Sequence, residues 1–302
     1  MPNRLLLSAA NRPGLQQFVT KHTFTRRVAS RFVAGSTLDE GIEVAAQLNK
    51  DRIGGILDYL GENISTEQQA DHAAGAYLES LDAIASNQVD AHVSVKLTQL
   101  GLDLSVVGAT KRMEKICAKA SEIGTRVAID MESHVYTDAT IDVYRRLKAS
   151  HPDTVLCLQA YLRRTSSDIE SLLPIEPNIR LCKGAYKEPS EIAYDKRVTV
   201  RSYRNSIERL LRETKYTAVA THDDVLIDST KRHVARAGID KRRFEFQMLY
   251  GVRQQLQQSL MTEGFGVRVY IPFGEQWYPY LMRRLAERPA NLRFFLESLV
   301  RG

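Results

Sequence analysis

Residues 216–249 read YTAVATHDDVLIDSTKRHVARAGIDKRRFEFQML. The run Tyr216–Asp223 is short, apolar and rich in β-branched residues. Asp224–Ala237 then places apolar residues at helical spacing and stops at Gly238, and Arg243–Leu249 is again a short apolar run. The stretch predicts strand, helix, strand. The same alternation extends both ways along the chain. Upstream lie the runs Gly54–Leu60, Ala91–Leu97, Thr125–Met131, Thr154–Leu162 and Asn178–Tyr186, and downstream lies Gly266–Phe273, making eight in all.

The segments between them read as helices. Thr66–Ala85 has Ser65 or Thr66 as its cap, Val106–Ile123 stops at Gly124, and Asp138–Ser150 stops before Pro152. Ser166–Leu173, Ser190–Glu213, Gln254–Glu263 and Trp277–Arg288 complete the set. Eight strands, each followed by a helix, predict an α/β fold of the (βα)8 TIM-like barrel type, residues 51–302, with helix 8 over the mouth at the strand C-terminal ends. An open doubly wound sheet is the alternative, but it would leave two exposed edges. No GxGxxG follows any of the runs, so a Rossmann dinucleotide site is not expected. Residues 1–50 fall outside the repeat, and Arg12–Val33 and Leu38–Lys50 read as helices packed outside the barrel.

Composition narrows the function. The chain has 302 residues, 43% hydrophobic and 26% charged, which excludes a disordered chain, a collagen and a coiled-coil rod. Three cysteines without a CxxC pair imply neither a zinc ribbon nor a disulfide framework, and suit a reducing cytoplasm. No apolar run approaches the ~20 residues that span a bilayer, and Met1–Ala10 lacks the apolar region of a signal peptide. A net charge of +6 spread over this length is a weak field. The clusters Lys111-Arg112 and Lys241-Arg242-Arg243 lack interleaved aromatics, so no nucleic-acid site is expected.

Barrels of this class carry their sites at the strand C-terminal ends. Lys96, Asp130, Gln159, Arg180, Lys183, Tyr186, Thr221, His222, Asp223, Glu245, Gln247 and Tyr270 lie near those ends or within the strands. Alternation puts Arg180 and Cys182 on one face, with Lys183 on the other unless the strand bends at Gly184. The set is cationic and aromatic with few carboxylates, so a metal site is not expected, and there is no GxSxG nucleophile elbow. Converging cations suit an anionic ligand, either a phosphate-bearing cofactor or a carboxylate substrate. In helix 8, Tyr280, Arg283, Arg284 and Glu287 share one face, which can grip a carboxylate under an aromatic ring. Taken alone, each of these residues has a plainer reading as a solvated face, a strand-end cap or barrel core.

Together they resemble the proline dehydrogenase family. The motifs are DYLGEN (58–63), SVKLTQLG (94–101), AIDMES (128–133), LQAYLRRT (158–165), IRLCKGAYKEP (179–189), ATHDD (220–224), FEFQMLYG (244–251), RVYIPFG (268–274) and YLMRRLAERPAN (280–291). They run in family order from about Asp51 to Asn291. The resemblance implies FAD-dependent oxidation of L-proline to Δ1-pyrroline-5-carboxylate, the first step of proline degradation. Hydride would pass to flavin N5 and electrons onward to a membrane quinone. It implies that Lys96, Arg283 and Arg284 grip the proline carboxylate, and that Asp130 holds this basic cluster in place. Tyr270, Tyr280 and Leu249 would wall the pyrrolidine ring, and Arg180 would stand beside N5. It assigns Met131, Gln159, Lys183, Gly184, Ala185, Tyr186, Thr221 and His222 to FAD, with Gly184 letting the backbone approach the flavin, and Glu62 to a gate ion pair with Arg283.

Some features depart from the larger members. The segment between Gly274 and Tyr280 is short, and neither a DNA-binding segment nor an aldehyde dehydrogenase domain is expected, as in the stand-alone bacterial type. Asp223 stands where some members carry Asn. The expected setting is cytoplasmic, with peripheral contact at the inner membrane face. Two other readings of the residues remain: a Schiff-base aldolase or lyase using Lys96 or Lys183, and a non-catalytic binder of an anionic metabolite.

Overall fold

The computed structural model describes residues 30–61 and 64–287, the last five as backbone. The strands are β1 (Gly54–Tyr59), β2 (Ala91–Val95), β3 (Val127–Ile129), β4 (Val155–Gln159), β5 (Asn178–Cys182), β6 (Tyr216–Ala220), β7 (Phe244–Leu249) and β8 (Gly266–Phe273). Each pairs in parallel with its neighbour in sequence. β1 closes on β8 in the register Gly54↔Arg268 to Tyr59↔Phe273. The sheet is therefore a closed (βα)8 barrel with no open edge, rather than a doubly wound sheet.

The helices are α1 (Leu38–Lys50), α2 (Glu67–Ser86), α3 (Val106–Glu122), α4 (Thr137–Ser150), α5 (Thr165–Leu172), α6 (Lys196–Glu213), α7 (Asp224–Ala237), α8 (Gln254–Thr262) and α9 (Trp277–Glu287). Local chemistry sets their ends. Thr66, not Ser65, is the cap of α2: its hydroxyl accepts from Gln69 N while the Gln69 side chain accepts from Thr66 N, a box worth about 1 kcal/mol. Asp223 caps α7 by accepting from Val225 N at 2.9 Å, and Gly238 ends it at φ 63°. Helix α6 begins at Lys196, later than the expected Ser190. The preceding backbone is engaged elsewhere: Tyr194 N donates to Tyr161 O, Arg163 N donates to Ile192 O, and Leu162 bridges Ala193. Asp195 then supplies the cap.

Alternation divides the strands into two faces. Val93, Val95, Ile179, Leu181 and Val219 belong to the apolar layer shared with Tyr77, Met113, Tyr144, Tyr203 and Leu210 of the helices. Inside the barrel a small plug of Ala128, Val155, Tyr216 and Ala218 separates two polar ends. Helix α1 packs outside β1 and β8, with Gly41 against Phe273 and Ala45 against Gly55. A second apolar cluster joins Phe32, Val33 and Leu60 to Trp277, Tyr278, Tyr280, Leu281 and Met282 of α9, and so seats that helix beside the end of β1. The expected helix Arg12–Val33 lies outside the described residues except for 30–33, which form a turn and irregular chain.

Candidate active site

At the C-terminal end of the barrel lies a cavity of about 1230 Å³. Among the described residues, every residue that the family resemblance assigns to substrate or cofactor lines it: Lys96, Asp130, Met131, Gln159, Arg180, Lys183, Gly184, Ala185, Tyr186, Thr221, His222, Leu249, Tyr270 and Tyr280. Glu62 and the side chains of Arg283 and Arg284 lie outside the described residues.

The floor is built around Asp130, just past β3. One carboxylate oxygen accepts from Ser94 Oγ at 2.7 Å and pairs with Arg180. The other accepts from the Tyr270 hydroxyl at 2.7 Å and lies 3.6 Å from Lys96 Nζ. Arg180 Nη2 also donates to Ser94 Oγ at 3.0 Å, and its guanidinium sits 5.7 Å from the centre of the Tyr270 ring. Residues from β2, β3, β5 and β8 are thus cross-linked through one carboxylate.

Sequence reasoning missed the main partner of Lys96. Asp58 on β1, 1% exposed, accepts from Lys96 Nζ at 2.5 Å. The signal was present: Asp58 is the one charge in the apolar run GGILDYL and shares the inward face with Ile56. Burial pulls the Lys96 ammonium down, but Asp58, Tyr270 and Tyr77 outweigh it and leave the group well above the usual lysine range. Lys96 therefore remains charged. Burial, followed by Asp58, pushes the Tyr270 phenol well above its ordinary value, so it stays neutral and donates to Asp130. A neighbouring clamp fixes the exit of β1: Tyr77 donates to Gln99, which donates to Tyr59 O and Gly61 O at 2.9 and 2.6 Å.

The β4 and β5 loops form one wall. Gln159 Nε2 donates to Glu132 O at 2.8 Å, and its Oε1 accepts from Ala185 N at 3.4 Å. β5 ends at Cys182, so Lys183 escapes the alternation and lines the cavity, where its ammonium pairs with Asp223. Gly184 has φ 119°, and a Cβ there would overlap the Tyr161 ring. Glycine is therefore required first by its own backbone and by Tyr161. Glu188 accepts from His134 N at 2.9 Å and pairs with the His134 ring, tying this loop to the end of β3. On the adjoining wall after β6 and β7, His222 Nε2 accepts from Leu249 N at 2.9 Å, which places the proton of a neutral ring on Nδ1. Asp223 N donates to Thr221 Oγ1 at 3.1 Å.

Of the two β7 residues expected at the site, one does not reach it. Gln247 lines the cavity, but Glu245 does not. Its position as the second residue of β7 sends it to the opposite end, where it bonds Tyr216, Gln247 and Arg268.

A family model described as proline dehydrogenase matches residues 42–296. The chain is 41% identical over 278 residues to proline dehydrogenase 1 of Bacillus subtilis (strain 168), covering 92% of each. It is 39% identical over 311 residues to the proline dehydrogenase of Deinococcus radiodurans, covering 99% of this chain and 98% of that one.

The chain belongs to the proline dehydrogenase family.

Full-length similarity to single proline dehydrogenases agrees with the stand-alone bacterial pattern of the family. Among solved structures, the barrel superposes on proline utilization A (PutA) from Bdellovibrio bacteriovorus, inactivated by N-propargylglycine, with TM-score 0.83 and 24% identity. That match covers 93% of this chain and 36% of the other, so the chain spans about a third of that longer protein, and the likeness concerns the fold. No described helix is long and apolar enough to cross a membrane.

Proposed function

We propose that this proline dehydrogenase family member oxidises L-proline to Δ1-pyrroline-5-carboxylate with FAD as its cofactor and a membrane quinone as the electron acceptor. The observation that carries the reading is the Asp130 network, which fixes the Lys96 and Arg180 side chains at the floor of a large cavity.

The residues fit FAD. A cavity of about 1230 Å³ exceeds the roughly 300–1,000 Å³ of a site for one small ligand, so it has room for proline and a dinucleotide together. Arg180 Nη1 is buried without a hydrogen-bond partner, an unmet donor on a cavity-lining guanidinium. FAD, when bound, supplies the hydride acceptor, and a negative charge developing on it suits a neighbouring arginine. Met131, Gln159, Arg180, Lys183, Gly184, Ala185, Tyr186, Thr221 and His222 would hold it. Lys183 and His222 have the chemistry to meet phosphate or ribose.

The chain's own part is orientation and charge. Lys96, with Arg283 and Arg284, would take the substrate carboxylate, and Tyr270, Tyr280 and Leu249 would enclose its apolar ring. Asp58 keeps Lys96 an ammonium and, with Asp130, fixes its position, so the grip needs little reorganisation on binding. The substrate nitrogen must be unprotonated for its lone pair to assist C–H cleavage. Glu62 with Arg283 would close the mouth. Leu104, Val106, Val107, Val135, Tyr186 and Val225 are exposed apolar side chains, all in segments following strand C-terminal ends. An apolar rim of that kind supports peripheral contact with the inner face of a cytoplasmic membrane and access for a quinone.

The test is a dye-linked assay on the purified protein. Proline-dependent dye reduction, with FAD released on denaturation, is expected. Borohydride trapping of substrate on Lys96 or Lys183 in a colourless protein would instead establish a Schiff-base lyase, and proline binding without turnover would establish a binder.

A further inference from the structure

Cys157 and Cys182 are 25 residues apart in sequence, yet the pairing of β4 with β5 brings them together. Cys157 lies opposite Arg180 in the β4–β5 register, and Cys182 lies opposite Gln159, so the two thiols are diagonal neighbours on the inward face. Their sulfurs are 3.7 Å apart, with Cys157 donating to Cys182, and both residues line the cavity. Nothing in the proposed oxidation uses them.

We propose that Cys157 and Cys182 form a two-thiolate site for a thiophilic divalent d10 cation of the zinc–cadmium class, and that an ion bound there inhibits the enzyme. The spacing fits without rearrangement. Zinc binds thiolate sulfur at about 2.3 Å in tetrahedral geometry, so two ligands of one ion stand about 3.8 Å apart. Among the described residues no cluster of three or more His, Cys, Asp or Glu side chains could complete a closed site. The remaining coordination positions would therefore face the cavity and hold water.

Charge permits the binding. The ion displaces one proton from each thiol, giving two thiolates and one dication with no net charge, so the Arg180 guanidinium does not repel the product. The thiol of Cys182 is already held below its usual range, first by the hydrogen bond from Cys157, with burial opposing and Arg180 adding to the effect. The Cys157 thiol is held well above its usual range, first by its hydrogen bond to Cys182 and then by burial, so the ion must displace that proton. Cys117 does not line the cavity; it is buried against Thr154 and its thiol is pushed up to about 12. Inhibition follows from position, since an ion on this pair sits between Arg180 and Gln159, which line the same wall.

Cadmium chloride is titrated into the FAD-bound protein under anaerobic, thiol-free conditions. Thiolate-to-cadmium absorbance and proline-dependent dye reduction are both followed. One cadmium per chain with new absorbance is expected, with turnover lowered about tenfold and restored by a chelator. C157S and C182S should each lose the absorbance and keep turnover within about twofold at the same cadmium concentration, while C117S should follow the wild type. Absence of the absorbance, its persistence in the C157S/C182S double variant, or its loss in C117S would overturn the site. The turnover measurement rests on the proposed oxidation and the absorbance does not. Absorbance in a protein that never oxidises proline would uphold the site and reject that activity.

Discussion

The two ends of the barrel interior use the same ingredients to different effect. At the base, Arg268 donates to Glu245, to Asp90 and to Gly55 O, while Glu245 also accepts from Tyr216 and Gln247. At the mouth, Arg180, Asp130, Tyr270, Lys96 and Asp58 repeat the combination of arginine, acid and tyrosine. The base is tied together by strand-to-strand contacts. The mouth opens into the cavity, so the unmet donor of Arg180 stands on a residue lining that open volume, whereas the unmet Nε2 of His92 belongs to a residue that does not line it. Charge buried in a closed network serves the fold, whereas charge held rigid beside open volume is available to a ligand.

Substitutions on each side test that division. The largest effect is expected from Asp130→Ala, which removes the hub that orients Lys96, Arg180 and Tyr270. Its kcat/KM for proline should fall by about a thousandfold, about 4 kcal/mol, while the protein remains folded by circular dichroism. Glu245→Ala should do the opposite. Arg268 loses a buried partner, and urea unfolding should show a loss of about 3 kcal/mol, with kcat/KM of the folded protein within about threefold of wild type. Gly184→Ala forces a side chain into the Tyr161 ring at positive φ. A strain of about 1–3 kcal/mol is expected, read as a lower melting temperature together with weaker FAD retention on gel filtration.

The smallest effect concerns pH and the base. Burial, then Arg268, Arg180 and Arg126, hold the His92 imidazole well below its ordinary value of 6.5. Its folded state stays neutral while the unfolded chain takes up a proton, so stability falls as pH drops through about 6.5. Between pH 7.5 and 5.5 the wild type should lose about 1 kcal/mol more than His92→Gln, measured by urea midpoints. Equal losses would show that His92 does not carry this term.

Much of this was legible in the sequence, for identifiable reasons. Strand positions followed from period and β-branched content, and the observed strands fall within the expected runs. The start of α6 was not legible, because what prevents helix at 190–195 is pairing with the loop after β4, a contact between distant residues. The cavity-lining residues were recognisable because motifs cluster at strand ends. Asp58 is legible by alternation, which turns it inward, but the resemblance carried by DYLGEN assigns only Glu62. The sequence alone does not separate Glu245 from Gln247, because height along β7 depends on register. The spacing of Cys157 and Cys182 carries no signal of their pairing, since only the β4–β5 register unites them.

The most direct test of the central claim, that the Asp130 network seats proline against an FAD in this cavity, is an anaerobic titration of the purified protein with L-proline, followed by visible absorbance. A yellow protein whose flavin bands bleach in proportion to added proline is expected, with an Asp130→Ala variant that keeps its colour under the same additions. A protein that carries no flavin, or an Asp130→Ala variant that bleaches as readily as the wild type, would contradict it.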